Sequence, residues 1–170
     1  EKFNCILAKN IITISYDMKN KFKNVTRKKV EIIHQGSASG IVVKKKNYEV
    51  NFLKKIININ TDDKTILYVG RPNKRKGFFD IVQIWNELFK DKKKYKLILL
   101  GISQKDLVKK TKNKAKNIFP MGFVTDPEPY FHLADYLFMT SYHEGLSYTV
   151  LESFKHRTVV ISNKIDGVSE

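Results

Sequence analysis

Two carboxylates, Glu144 and Glu152, bracket seven residues of the stretch HEGLSYTVLES (143–153). What lies between them has the chemistry of a turn running into a helix. Gly145 permits close backbone approach, Ser147 is a candidate N-cap, and the amides of residues 147–149 are the unpaired donors of a helix start. Such amides concentrate partial positive charge, so a phosphate can rest on those of Ser147, Tyr148 and Thr149. A carboxylate on either side can then accept hydrogen bonds from hydroxyls flanking a diphosphate, a sugar at Glu144 and a ribose at Glu152. The same two residues read equally as an exposed loop acid and a helix-surface acid.

A second stretch, GRPNKRKG (70–77), follows the apolar run TILYV. Gly70 lets the backbone turn at a strand end, and Arg71 and Lys76 bring two cations to the same place, which suits a diphosphate. It is not a P-loop, which needs Gly directly before Lys and Ser/Thr; here Lys76 precedes Gly77 and Phe78 follows. Taken alone, it also reads as an ordinary charged surface turn.

These residues need a scaffold, and apolar runs supply one. IITIS, VEIIH, TILYVG, YKLILLG, NIFPMG, ADYLFMT and TVVIS read as strands. FFDIVQIWNELFKD (78–91) has its apolar residues at helical spacing; DLVKKTKNKAKN (106–117), PEPYFHLA and SYTVLESFKH are the other expected helices. Near-continuous Val/Ile/Leu strands alternating with helices predict a Rossmann-like α/β domain, a parallel sheet with helices on both faces. Residues 42–62 read as a connection holding a short helix. In such sheets ligands bind beyond the carboxyl ends of the strands, where both motifs and the final DGVSE fall.

Composition narrows the classes. The 170 residues are 42% hydrophobic and 12% aromatic, which is globular. No apolar run reaches the roughly 20 residues needed to span a bilayer, and EKFNCILAKN is not a signal peptide. The chain has no initiator Met and stops in mid-loop, so it reads as a segment of a longer protein. A single Cys, Cys5, excludes an internal disulfide and points to a reducing compartment; no metal centre is expected from four His spread along the chain. The net charge of +15 invites a nucleic-acid reading. Yet lysine supplies nearly all of it, whereas base-edge readout favours Arg, so nucleic acid is not an expected partner. A solvated Lys-rich surface, with peripheral attraction to an anionic membrane as the alternative, accounts for the charge.

GRPNKRKG, LILLG, FPMGFVTDPEPYFHLADYLFMTSYHEGLSYTVLESF and DGVSE, in this order, resemble the C-terminal, donor-binding half of retaining GT-B glycosyltransferases of family four (group 1), among them transferases of capsule and lipopolysaccharide synthesis. The resemblance covers residues 64–170, and VEIIHQGSASGI is similar to the family's inter-domain segment. It implies two parts: residues 1–62, the end of an N-terminal acceptor domain with the connection, and residues 63–170, a nucleotide-sugar-binding domain cut short at its C-terminal end. It implies that Arg71 and Lys76 bind the donor diphosphate, that Glu144 contacts the transferred sugar and Glu152 the ribose, and that the 145–149 backbone meets the phosphates. The nucleobase is expected near NIFPMGF, with Phe119, Met121 and Gly122 as candidates, although these also suit a core.

The resemblance further implies a metal-independent enzyme with no cofactor, a nucleoside diphosphate sugar as donor, UDP-linked above others, and a sugar or lipid-linked acceptor. The implied location is cytoplasmic, with the isolated segment inactive. Two departures stand out: Val42 replaces the usual Asp, and DGVSE has one Gly where two are usual. A non-catalytic nucleotide- or sugar-binding module, and a basic membrane or nucleic-acid adaptor, remain alternative readings.

Overall fold

The computed structural model describes residues 2–33, 50–111, 115–165 and 167–169. The chain forms two compact units, one of Glu1–Val43, His143–Tyr148 and Lys164–Glu170, the other of Lys44–Tyr142 and Thr149–Asn163. The boundary expected between residues 62 and 63 falls inside the second unit.

In the first unit, α1 (Lys2–Leu7), β1 (Ile11–Thr13), α2 (Tyr16–Lys23) and β2 (Val30–Ile32) follow in order, with β1 and β2 paired in parallel. Ser15 caps α2 by accepting from the Met18 amide at 3.2 Å. Cys5, Ile11 and Val30 form its small core. The inter-domain segment resembled by VEIIHQGSASGI lies, from residue 34 onward, outside the described residues, as does Val42.

The second unit holds α3 (Asn51–Ile57), β3 (Lys64–Val69), α4 (Phe78–Leu88), β4 (Tyr95–Leu100), α5 (Gln104–Thr111), β5 (Ile118–Gly122), α6 (Glu128–Leu133), β6 (Tyr136–Met139), α7 (Tyr148–His156, its first residue in the other unit) and β7 (Val159–Ser162). The strands form one parallel sheet in the order β5-β4-β3-β6-β7. Counted from the first strand of that sheet the order is 3-2-1-4-5, a doubly wound order that belongs to the Rossmann-like parallel sheet the sequence predicts. Side-chain alternation buries both faces: Ile66, Tyr68, Leu97 and Leu99 pack with α4 and α5, while Leu67, Ile98 and Leu137 between them are equally buried. Helix α4 turns Phe78, Ile81, Val82 and Trp85 inward, the i, i+3, i+4, i+7 spacing. Burying these four contributes about 6–12 kcal/mol, at 1.5–3 kcal/mol per side chain, before chain entropy is subtracted.

Two helices differ from expectation. The helix predicted for residues 106–117 starts earlier, at Gln104, and is over by Ala115, with Lys116 and Asn117 in a turn; the Asn117 side chain is committed to carbonyls elsewhere. The helix predicted to reach residue 91 stops at Leu88.

Candidate functional site

The sheet order reverses between β3 and β6, so the crevice-forming switch point lies beyond their carboxyl ends. The sequence places 70–77 after β3 and 140–142 after β6, and the structure joins them. The Tyr142 amide donates to the Arg75 carbonyl at 2.9 Å, and the Thr140 hydroxyl donates to the Gly77 carbonyl at 2.8 Å. The Tyr142 hydroxyl donates to Asp80 at 3.2 Å, and that carboxylate raises the phenol above its ordinary pKa. Gly77 sits at φ 65°, and a Cβ there would lie 1.9 Å from the Thr140 carbonyl oxygen, so only glycine lets the two segments beyond the strands approach this closely.

The turn is held through its backbone. Tyr68 donates its hydroxyl to the Lys76 carbonyl at 3.0 Å, Asn73 accepts from the Lys76 amide at 3.0 Å, and Lys110 reaches the Pro72 carbonyl at 2.8 Å. The Gly70 amide donates to Leu100 at 3.1 Å, and Gly101 crowds the Gly70 carbonyl so closely that a Cβ would stand 2.6 Å from it. Arg71 is exposed and Lys76 half-buried. Fixing the main chain in this way gives both cations a defined origin at the ligand edge of the sheet.

At the carboxyl end of β5, Gly122 exchanges bonds with the next turn: its amide donates to Ile102 and its carbonyl accepts from Gly101, both at 2.7 Å. Met121 and Gly122 are half-buried, and Phe123, which the sequence reading passed over, is 90% exposed beside them. Phe119 goes elsewhere. It lines a cavity of about 880 Å³ with Asn58, Asn86, Lys90 and Lys96, at the amino edge of the sheet.

Helix α7 carries Thr149, whose carbonyl accepts from the Ser153 hydroxyl at 2.8 Å, and Glu152. Glu152 is half-buried; burial pushes its carboxyl up, the Glu128 carboxylate pushes it further, and Lys155 opposes both. Lys155 forms an ion pair with Glu128 of α6. Four-residue spacing aligns Glu128 with His132 on α6 and Glu152 with His156 on α7, a pattern hidden when the His residues are read as merely scattered. The two imidazoles lie 6.3 Å apart, and burial holds His156 below its ordinary pKa. Among the described residues, no three His, Cys, Asp or Glu side chains are grouped to hold a metal.

Glu144, Gly145, Leu146, Ser147 and Tyr148 belong to the first unit. There Glu144, Gly145 and Leu146 are half-buried, Ser147 is buried directly before α7, and Tyr148 is exposed. A Cβ on Gly145 would meet Ile14 at 2.9 Å and Met18 at 3.2 Å; one on Gly167, at φ 72°, would stand 1.7 Å from the Gly145 carbonyl oxygen. The absent side chain at 145 therefore seats the loop on its own unit. The Gly167 amide donates to Asp17 at 3.2 Å. Of the DGVSE stretch, Asp166 and Glu170 lie outside the described residues.

Comparison with known proteins agrees with this architecture. Residues 49–170 match the family of glycosyl transferases group 1. The chain is 26% identical, over 178 aligned positions, to CapM of Staphylococcus aureus, a capsular polysaccharide biosynthesis glycosyltransferase, covering 98% of this chain and 46% of CapM. Thus the chain spans about half the length of the relative it matches. Among solved structures it is similar in fold to Anabaena Alr3699/HepE in complex with UDP-glucose, with a TM-score of 0.77, 16% identity and coverage of 95% of this chain and 46% of the other. It is also similar to WaaG, a glycosyltransferase involved in lipopolysaccharide biosynthesis, with a TM-score of 0.70, 15% identity and coverage of 92% and 44%. With the family matched over well over half of its residues and a Rossmann-like sheet to carry it, the chain belongs to the group 1 glycosyl transferases.

Proposed function

We propose that this chain is the donor-binding, C-terminal part of a retaining GT-B transferase that takes a sugar from a nucleoside diphosphate, UDP-linked above others, and passes it to a sugar or lipid-linked acceptor held by an N-terminal domain. The observation that carries this reading is the union of 70–77 with 140–142 at the topological switch point. Arg71 and Lys76 start from that edge and neutralise the diphosphate as it leaves, a task that pre-positioned cations perform without metal or cofactor. Glu144 touches the transferred sugar, so its contacts strengthen as positive charge develops there. Glu152 accepts from the ribose, the amides of 145–149 meet the phosphates, and the base lies by Met121 and Gly122, with Phe123 offering a free aromatic face. The similarity to CapM favours capsule-type polysaccharide synthesis as the setting.

Calorimetry with UDP, GDP and ADP sugars tests the assignment. Arg71→Ala and Lys76→Ala each weaken donor binding by about 1.5–3 kcal/mol, the range for hydrogen bonds to charged groups, while thermal unfolding stays close to that of the parent. Unchanged affinity in both variants would reduce 70–77 to a charged surface turn.

A further inference from the structure

The ion pair between α6 and α7 has no part in the site described so far, yet it adjoins Glu152. The Lys155 side chain is only 9% exposed, with Glu128 at 33%. Withdrawing an ammonium that far from water costs several kcal/mol unless carboxylates compensate it. Two stand within its field. Glu128 bonds to it directly, and Glu152 precedes it by one helical turn on α7. One cation is thus bonded to a carboxylate of α6 while its charge also acts on a carboxylate three residues before it on α7.

We propose that Lys155, anchored by Glu128, is a positioning residue for Glu152, holding that carboxylate in the charged form that accepts hydrogen bonds from the ribose hydroxyls of a nucleotide. This deepens the donor-site reading and rests on it. The groups around the cluster are Asp126, Glu128 and His132 on the α6 side and Lys155 and His156 on α7. Burial and Glu128 raise the Glu152 carboxyl, so on acidification it takes up its proton sooner than an ordinary glutamate would; Lys155 delays that uptake. Nucleotide affinity should therefore decline as pH falls through the range in which Glu152 protonates, with the starting point set by the balance between Glu128 and Lys155.

That balance predicts opposite effects for the two partners. Glu128→Gln removes the repulsion and leaves Lys155 to Glu152 alone, displacing the titration of Glu152 to lower pH. Lys155→Met removes the cation and displaces it to higher pH. The titration is read directly from the Glu152 side-chain carbon by NMR on the intact chain without nucleotide, with Glu152→Gln identifying the signal. UDP affinity is then measured by calorimetry from about pH 8 to about pH 5, a window reaching down toward the ordinary glutamate range. The decline in affinity should move to lower pH in Glu128→Gln and to higher pH in Lys155→Met, with the parent between them. A Glu152 titration that stays put, or moves the same way in both variants, overturns the proposal. Should Lys155→Met fail to fold, Lys155→Gln, which removes the charge but keeps a polar side chain, takes its place with the same expected direction. If the titration moves as expected but Glu152→Gln binds UDP as the parent does, the ribose role of Glu152 fails and takes this proposal with it; the NMR result shows which link broke.

Discussion

Gly77 and Gly122 share a left-handed backbone, at φ 65° and 69°, and differ in what surrounds them. At Gly77 an added methyl collides with the Thr140 carbonyl; at Gly122 it meets nothing within 4 Å. Separating the two costs is a residue-scale test. Gly122→Ala should lose about 1–2 kcal/mol, the strain of a left-handed L-residue. Gly77→Ala adds a backbone clash at the junction of 70–77 with 140–142 and should lose about 2–4 kcal/mol, together with donor binding. Denaturant unfolding of both variants checks it, and equal losses would mean that the Thr140 contact is easily relieved. In the sequence Gly77 closes a charged turn and Gly122 ends an expected strand; only the neighbouring chain distinguishes a conformational requirement from a steric one. Arg157 makes the converse point, a non-glycine at φ 62° just after α7.

Among the elements, the connection from α4 to β4 depends on a residue far along the chain. Trp85, fully buried on α4, donates its indole N–H to the side-chain amide oxygen of Asn117 at 3.0 Å. The Asn117 amide nitrogen points to the carbonyls of Phe89, at 2.8 Å, and Tyr95, at 3.2 Å. A single buried amide thus fixes the end of α4, the turn beyond it and the start of β4. Asn117→Ala should cost about 2–4 kcal/mol, since it strands an indole donor and at least one carbonyl at about 1–3 kcal/mol each. It should also raise hydrogen exchange across residues 89–95, and exchange confined to the mutated turn would count against the staple. The sequence reading put Asn117 in a helix because local composition favours one. Long-range hydrogen bonds to a tryptophan 32 positions away leave no local signature.

At the scale of the whole molecule, the residues proposed for the donor belong to two separate compact units, Glu144–Tyr148 to one and Arg71, Lys76 and Glu152 to the other. On the reading proposed above, the acceptor is held by residues other than those of the donor sheet. Residues 1–170 alone are therefore expected to bind UDP in calorimetry and to release no sugar onto an acceptor. Turnover by this chain above the rate of spontaneous donor hydrolysis would show that it holds a complete active site. The excess of lysine acts at this scale too. A net charge of +15 adds a long-range attraction for a diphosphate, so UDP binding should weaken with salt, while the contact contribution of Arg71 is screened less.

By itself the sequence determined the alternation of strands and helices, because the period of apolar residues is a local property that burial on both sheet faces enforces. It also determined the ordered motifs by which the family is recognised, since close turns and charged strand ends restrict residue type at each position. Tertiary structure alone decided which strands are neighbours, and with them the meeting of Arg75 with Tyr142 and of Gly77 with Thr140 across more than 60 residues of chain. It decided that Phe119 lines the amino edge while Phe123 stands open, and that Lys155 of α7 pairs with Glu128 of α6. Contacts of that kind depend on how helices dock on the sheet, and no spacing along one helix encodes the partner brought to it by another.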